Sequence, residues 1–505
     1  MFKVFMLYEV NPTTWFYLSL LMITGIFFKF RRLWSVRNLD LFLLLSLGPA
    51  LLLIAHDFYF GYIAMFASLL GILIRMLCDP LMIRRPLLEV NLSKGGLIFC
   101  CAALMLFQVA GLILTQTREV TESQVNSSLE QLMMFNLNRH LLKAEMEQNN
   151  ITRETAASPP ARADSSQKLI LVHGPGLPFF TRLADFPRRW RYERMKKEYL
   201  SEHQNTPNSS AVKPDNTMNF GFETEKEINL STYPLVQLNH FPVFPLKQVR
   251  WTILLATLAQ AGIVIGIVMI GWTHFENFNT GIAAATLYLL LPYVVQMPSR
   301  LDHLIPALLV IWAIYSWRLP ALSGSLLGTA AALTYYPLFL LPLWFAFYWA
   351  RGFYRFMITS LSTFLILIAV SIPLAGGIEA FLAQSGDIFG CVGLFSRSAT
   401  GFWDLQNHSV FYRLPVIALY LMLVLFLTFW PTQKNFGTLL SCSAVLMIGT
   451  QFCHPFQGGT YMAWFLPMVI LVVLRPNLED RTALRMVGRS RRKKTDPEFT
   501  ETYGA

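Results

Sequence analysis

Residues 318–351 read RLPALSGSLLGTAAALTYYPLFLLPLWFAFYWAR. Two arginines bracket about thirty mostly apolar residues, enough for one tilted helix to cross a bilayer and leave the arginines on opposite sides. The other apolar runs contradict that reading. They fall at about 13–28, 39–55, 59–78, 95–115, 250–271, 279–297, 302–317, 355–375, 411–430, 435–451 and 459–475. With Lys- and Arg-rich short loops held in the cytoplasm, counting from either end puts both Arg318 and Arg351 inside. The conflict disappears if 322–333 and 337–349 are half-length helices of a re-entrant hairpin with Tyr335, Tyr336 and Pro337 at its tip. Pro337 supports a break, because it lacks an N–H and pushes the residue before it out of the α region. Irregular backbone at that depth is tolerated where protein buries it or where it lines a cavity, so the tip predicts a cavity opening to the outer face.

Composition agrees with lipid as the main solvent. Of 505 residues, 54% are hydrophobic and 14% charged, with a mean hydropathy of +0.45. A soluble protein carries about 25% charged residues, so a soluble enzyme, a disordered chain and a disulfide-stapled domain are excluded. Unbroken rather than alternating apolar runs select helices over a barrel. The net charge, 41 − 30 = +11, orients the chain and does not mark a nucleic-acid surface. Lys29, Arg31, Arg32 and Arg37 follow the first run, placing the N-terminus outside. Arg489, Arg491, Arg492, Lys493 and Lys494 place the C-terminal tail in the cytoplasm, beside anionic lipid.

The expected fold is an all-α polytopic membrane protein of about 11–12 transmembrane helices, including the re-entrant helical hairpin, with one long outer-face polar loop. Its parts are 1–94, additional N-terminal transmembrane helices; 95–115, a first core helix; 116–248, the outer loop region; 249–475, a transmembrane core; and 476–505, a basic cytoplasmic tail.

The ionisable residues that are not cytoplasmic anchors collect on the outer face. Arg300, Asp302 and His303 stand at one helix mouth, where guanidinium, acid and imidazole suit an anionic headgroup or a general base; an interfacial N-cap with snorkelling neighbours is the structural alternative. Trp403, Asp404 and Asn407 lie in a loop that joins an acid to an aromatic platform, and His454 sits just before the last span. The segment Arg188 to Lys197, with Trp190 and Tyr192 interleaved, suits an interfacial helix. Asn126, Asn150, Asn208 and Asn229 begin glycosylation triplets. Six cysteines are too few for a framework, although Cys391 and Cys453 fall on the same outer face and a disulfide between them is open. No metal-ligand spacing, phosphate-binding loop or Ser-His-Asp order is present.

The order of features from about 228 to 475 resembles the GT-C superfamily of polytopic membrane glycosyltransferases, closest to the polyprenol-phosphate-mannose-dependent mannosyltransferases. Thr232-Tyr233-Pro234-Leu235 is similar to a Tyr-Pro-Pro-Leu segment without its second proline. The hairpin from Ala321 to Pro342 is similar to theirs, with Thr334 or Tyr335 where a basic residue usually stands. Asn407-His408-Ser409 before Arg413 resembles their Asn-x-Ser element, and His454-Pro455 through Tyr461, Trp464 and Pro467 their C-terminal motif. The resemblance implies an inverting hexosyltransferase moving a mannose-like hexose from a polyprenyl-phosphate donor to a lipid, glycan or protein acceptor. It implies no cofactor beyond the lipid-linked donor and leaves a divalent metal open.

It also implies an Asp or Glu base in the first outer loop. Asp185, in Leu183-Ala-Asp-Phe-Pro-Arg-Arg-Trp190, is preferred because cations and an aromatic surround it; Asp164, Asp215, Glu223 and Glu227 compete. Arg300, Asp302 and His303 would line the donor phosphate, Tyr335 and Tyr336 the cavity, and Trp403, Asp404, Asn407 and His454 the sugar or acceptor. The bacterial inner membrane is the expected location, with the endoplasmic reticulum second. The rival readings are a transporter or flippase of lipid-linked substrate, and a non-catalytic scaffold whose 116–248 loop binds a partner.

Overall fold

The computed structural model describes residues 12–31, 33–56, 58–82, 90–115, 250–296, 301–375, 401–403, 410–432, 434–454, 458–478 and 481–487. The described residues are helical and contain no strand. Fourteen of the helices matter below. They are α1 (Pro12–Phe27), α2 (Val36–Ala55), α3 (Tyr59–Leu77), α4 (Lys94–Thr115), α5 (Arg250–Thr273), α6 (Phe278–Leu290), α7 (Pro292–Gln296), α8 (Leu301–Tyr315), α9 (Pro320–Leu333), α10 (Leu341–Tyr348), α11 (Phe353–Ala375), α12 (Arg413–Phe429), α13 (Phe436–Cys453) and α14 (Leu466–Leu474). Five described helical segments are long and apolar enough to cross a membrane: 36–55, 59–81, 254–273, 353–370 and 436–453.

Burial shows which of them meet lipid. In α13, 94% of the span is inside the molecule, against 11% in α11. Helix α13 is therefore the axis of the bundle and α11 its rim. Ile358, Leu361, Leu365 and Ile366 of α11 face outward, as expected where the surrounding solvent is as apolar as the core.

Cross-helix contacts gather the charged helix ends at one end of the bundle. The Lys29 amide donates to Asn38 Oδ1 at 3.0 Å, and the Asn91 amide to the Ile26 carbonyl at 2.9 Å. Arg481 pairs with Glu276, and the Phe436 amide donates to the Arg481 carbonyl at 2.8 Å. Within this basic end a buried ion network joins N-terminal to C-terminal helices. Arg75 lies 2.6 Å from Asp40 and 3.6 Å from Asp79, and Arg475 lies 2.6 Å from Asp79. Asp79 is fully buried. A Cβ on Gly437 would stand 2.1 Å from the Arg475 guanidinium, so glycine there makes room for the ion pair.

The stretch 318–351 doubles back. Tyr348 Oη donates to the Trp317 carbonyl at 2.5 Å, and Gly352, at φ +98°, lies against Pro320. Arg318 and Arg351 therefore share the basic end. The first arm, α9, packs on α11 through Gly324 and Gly328. A Cβ on these glycines would come within 2.6 Å of the Phe356 carbonyl oxygen and 2.2 Å of that of Ser360. Two glycines four apart let the backbones touch, the usual device where lipid gives no hydrophobic drive to helix association. The second arm, α10, is held to the axis by Trp344 Nε1 donating to Ser443 Oγ at 3.1 Å.

The expected span 279–297 is divided. Leu291 is extended, with ψ 134°, before Pro292, so α6 stops and the short α7 begins. The last expected span, 459–475, is helical only from Leu466 to Leu474, after a 3₁₀ turn at Met462–Trp464. Within 1–94, α3 packs on α13, with Met65 and Phe66 against the Gly458–Gly459 turn.

Candidate aromatic–histidine site

The end opposite the basic one is built where helices break. Helix α9 ends at Thr334, extended at φ −137° and ψ 116°, and the chain turns through Tyr335 into a 3₁₀ turn, Tyr336–Leu340, with Pro337 in its first turn. A proline fits there because the first N–H groups of a helix have no internal partner. The Tyr335 and Tyr336 rings lie 4.4 Å apart, with Oη of Tyr335 donating to Oη of Tyr336 at 3.1 Å.

Two other breaks bring partners to this tip. Helix α13 stops at Cys453, and His454 leaves it in an extended conformation, fully buried. The chain returns through Gly459, whose φ of +95° favours glycine and whose N–H donates to Gln451 Oε1 at 3.3 Å. That turn delivers Tyr461 and Trp464. His454 lies 5.0 Å from Tyr336, 4.4 Å from Tyr461 and 6.2 Å from Trp464, ring centre to ring centre. Tyr461 is 4.5 Å from His303 of α8, and His303 Nδ1 is hydrogen-bonded to Tyr293 Oη of α7 at 2.6 Å. Tyrosine and imidazole thus alternate along a buried path, Tyr293, His303, Tyr461, His454 and Tyr336, with the partly buried Tyr335 at its end. Trp464 covers it, 5.2 Å from Tyr336 and 4.6 Å from Tyr461.

The C-terminal carbonyls of α13, which have no partner inside the helix, are taken up from the same side. Trp403 Nε1 donates to the Phe452 carbonyl at 2.9 Å, and Arg413 Nε donates to the Cys453 carbonyl at 2.9 Å. A guanidinium there also complements the negative end of the helix. Cys453 is a free thiol that donates to the Val416 carbonyl at 3.8 Å; Cys391 lies outside the described residues.

His303, Tyr335, Tyr336 and His454, expected at separate outer positions, are thus brought together, and Trp403 adjoins them. His303, in the first turn of α8, is fully buried, with Tyr293 as its hydrogen-bond partner. Asp185, Arg300, Asp404, Asn407 and the Asp302 side chain lie outside the described residues, as do the segment 188–197, the glycosylation triplets and the basic run 489–494. Sequence reasoning missed Tyr293; the Leu291-Pro292 break before it was a usable signal. It quoted Tyr461, Trp464 and Arg413 within motifs without giving them a place in the site. The described carboxylate side chains, Asp40, Asp79 and Glu276, are all at the basic end, and no group of metal-binding side chains occurs among the described residues.

At the basic end, His274 follows α5. Its Nε2 meets the Tyr315 carbonyl at 2.7 Å, and its Nδ1 accepts from Trp317 Nε1 at 3.3 Å. Those partners specify a neutral ring with its proton on Nε2. Burial pushes its pKa down to about 4; the Tyr315 carbonyl opposes this, and Arg318 and Arg481 add to it.

Chemically, the far-end cluster offers flat rings for a sugar face or an allyl chain, phenol hydroxyls as donors, and two imidazoles able to take or give a proton. Comparison with known protein families, with characterised proteins and with solved structures finds no match.

Proposed function

We propose that the chain is a membrane glycosyltransferase that moves a mannose-like hexose from a polyprenyl-phosphate donor to a lipid, glycan or protein acceptor, at the end of the bundle that holds the aromatic–histidine cluster. We read the stretch 318–351 as a re-entrant hairpin, and the far end of the bundle as the outer, periplasmic face of a bacterial inner membrane. The observation that carries the proposal is the meeting of the hairpin tip with the C-terminal turn: Tyr336 against His454 and Trp464. Aromatic rings set beside an imidazole are suited to a sugar bound through its apolar face and a hydroxyl.

In this reading Asp185 is the general base on the acceptor hydroxyl, Arg300, Asp302 and His303 lie towards the donor phosphate, and Trp403, Asp404, Asn407 and His454 towards the sugar or acceptor. The sugar becomes attached to the acceptor oxygen, the bond to the lipid phosphate breaks, and the acceptor proton passes to the base. No nucleotide is needed. Membranes bearing the protein, given radiolabelled polyprenyl-phosphate mannose, should incorporate label, and Asp185→Asn should abolish incorporation. Full activity in that variant would remove Asp185 from the mechanism, while no label above control membranes would remove the transferase reading itself.

A further inference from the structure

We propose that Trp15 of α1 and Gln108 of α4 form an intramembrane site for an uncharged carbonyl oxygen carried by a lipid, behind the α6–α7 break and separate from the transferase reading. Trp15 and Gln108 are 3% and 7% exposed, and neither the Trp15 indole nitrogen nor the Gln108 amide nitrogen has a hydrogen-bond partner. A donor left unpaired where water is excluded is costly, and native interiors rarely keep one without a use.

Two independent registers bring these donors to one level. Ser19 of α1 donates to the Leu290 carbonyl, the last of α6. Trp15 is one turn before Ser19 on the same helix face, about 6 Å further from the basic end, beside α7. On α4, Leu97, Cys101, Leu104 and Gln108 fall on one face, with Cys101 against Thr286 of α6. Helices α4 and α6 both run away from the basic end, so Gln108, seven residues past Cys101, is about 10 Å beyond Thr286, near the level of Trp15. The two helices are joined at that level by Trp15 stacked on Phe107, rings 4.9 Å apart and 4° from parallel.

Both donors are neutral, which suits a carbonyl better than a phosphate, whose usual partners are cationic. The way in is lateral. Phe107 is 39% exposed, and Leu106 and Tyr17 beside the pair face the bilayer. A carbonyl at such a depth comes from a lipid acyl ester or from an isoprenoid quinone.

The test uses the full-length protein in nanodiscs of diester phosphatidylglycerol, of its diether analogue, which has no carbonyl, and of the diether lipid with decyl-ubiquinone. The melting midpoint should be higher in diester than in diether discs if the ester is the source, or be raised by the quinone if that is the source. Trp15→Phe with Gln108→Leu, which keeps an aromatic ring against Phe107 and replaces the amide by an alkyl group of similar size, should fold and lose the whole shift. Equal melting of the wild type in all three discs would overturn the proposal, and so would a double variant that retains the shift.

Discussion

His274 gives the plainest consequence at the scale of one residue. Its pKa is pushed below the ordinary histidine value to about 4, so between roughly pH 6.5 and 4 the unfolded chain holds a proton that the folded one does not. Stability is complete above about pH 6.5 and falls as the pH drops through that window, by up to about 3 kcal/mol. Melting curves in detergent from pH 7.5 to 4 should show this acid decline, and His274→Gln should flatten it; an unchanged acid limb would mean that other groups set the slope. Asp79 acts with the opposite logic, as a buried counter-ion to Arg75 and Arg475. Asp79→Asn leaves two arginines buried with one aspartate between them and should cost about 3–5 kcal/mol. An equal melting temperature would show that water already reaches the pair. The sequence exposes neither role, because the partners, Arg475 for Asp79 and Tyr315 and Trp317 for His274, meet them only once helices pack.

Among elements, the break at Pro337 was the most legible and the breaks in neighbouring elements the least. Pro337 was enough to anticipate a turn with a helix on each side, since proline acts locally. Glycine spacing, by contrast, has meaning only against a partner. Gly324 and Gly328 matter because α11 lies on them. Gly328→Leu should drive α11 away from α9 and cost about 1–3 kcal/mol or more through overpacking, read as a lower melting midpoint, whereas Leu322→Ala on the exposed side of α9 should change it little. Equal effects would mean that the arm does not depend on that contact. The shortened last helix escaped notice because Tyr461 to Phe465 is as apolar as the span it interrupts. Hydropathy reports solvent, and it does not report whether an apolar backbone is helical.

For the whole molecule, an all-helical bundle follows from composition and run length alone, and the packing adds that its ion network and its tyrosine–histidine path stand at opposite ends. One end holds the arginine–aspartate network. The other holds the Tyr–His path, contributed by α7, α8, the hairpin tip and the turn before α14, which sequence order keeps far apart. A topology prediction follows from this division. Single cysteines placed at Arg318 and at Arg351 should react with a membrane-impermeant thiol reagent from the same side, opposite to one placed at Phe411; labelling of 318 and 351 from opposite sides would make the stretch an ordinary span. We propose that the far-end cluster handles a lipid-linked sugar. That proposal is tested most directly by transfer of label from polyprenyl-phosphate mannose in membranes carrying wild-type protein or His454→Ala at equal, folded abundance. The wild type should transfer label, and the variant should lose at least tenfold, about 1.4 kcal/mol in transition-state terms. Equal transfer by both proteins would contradict it.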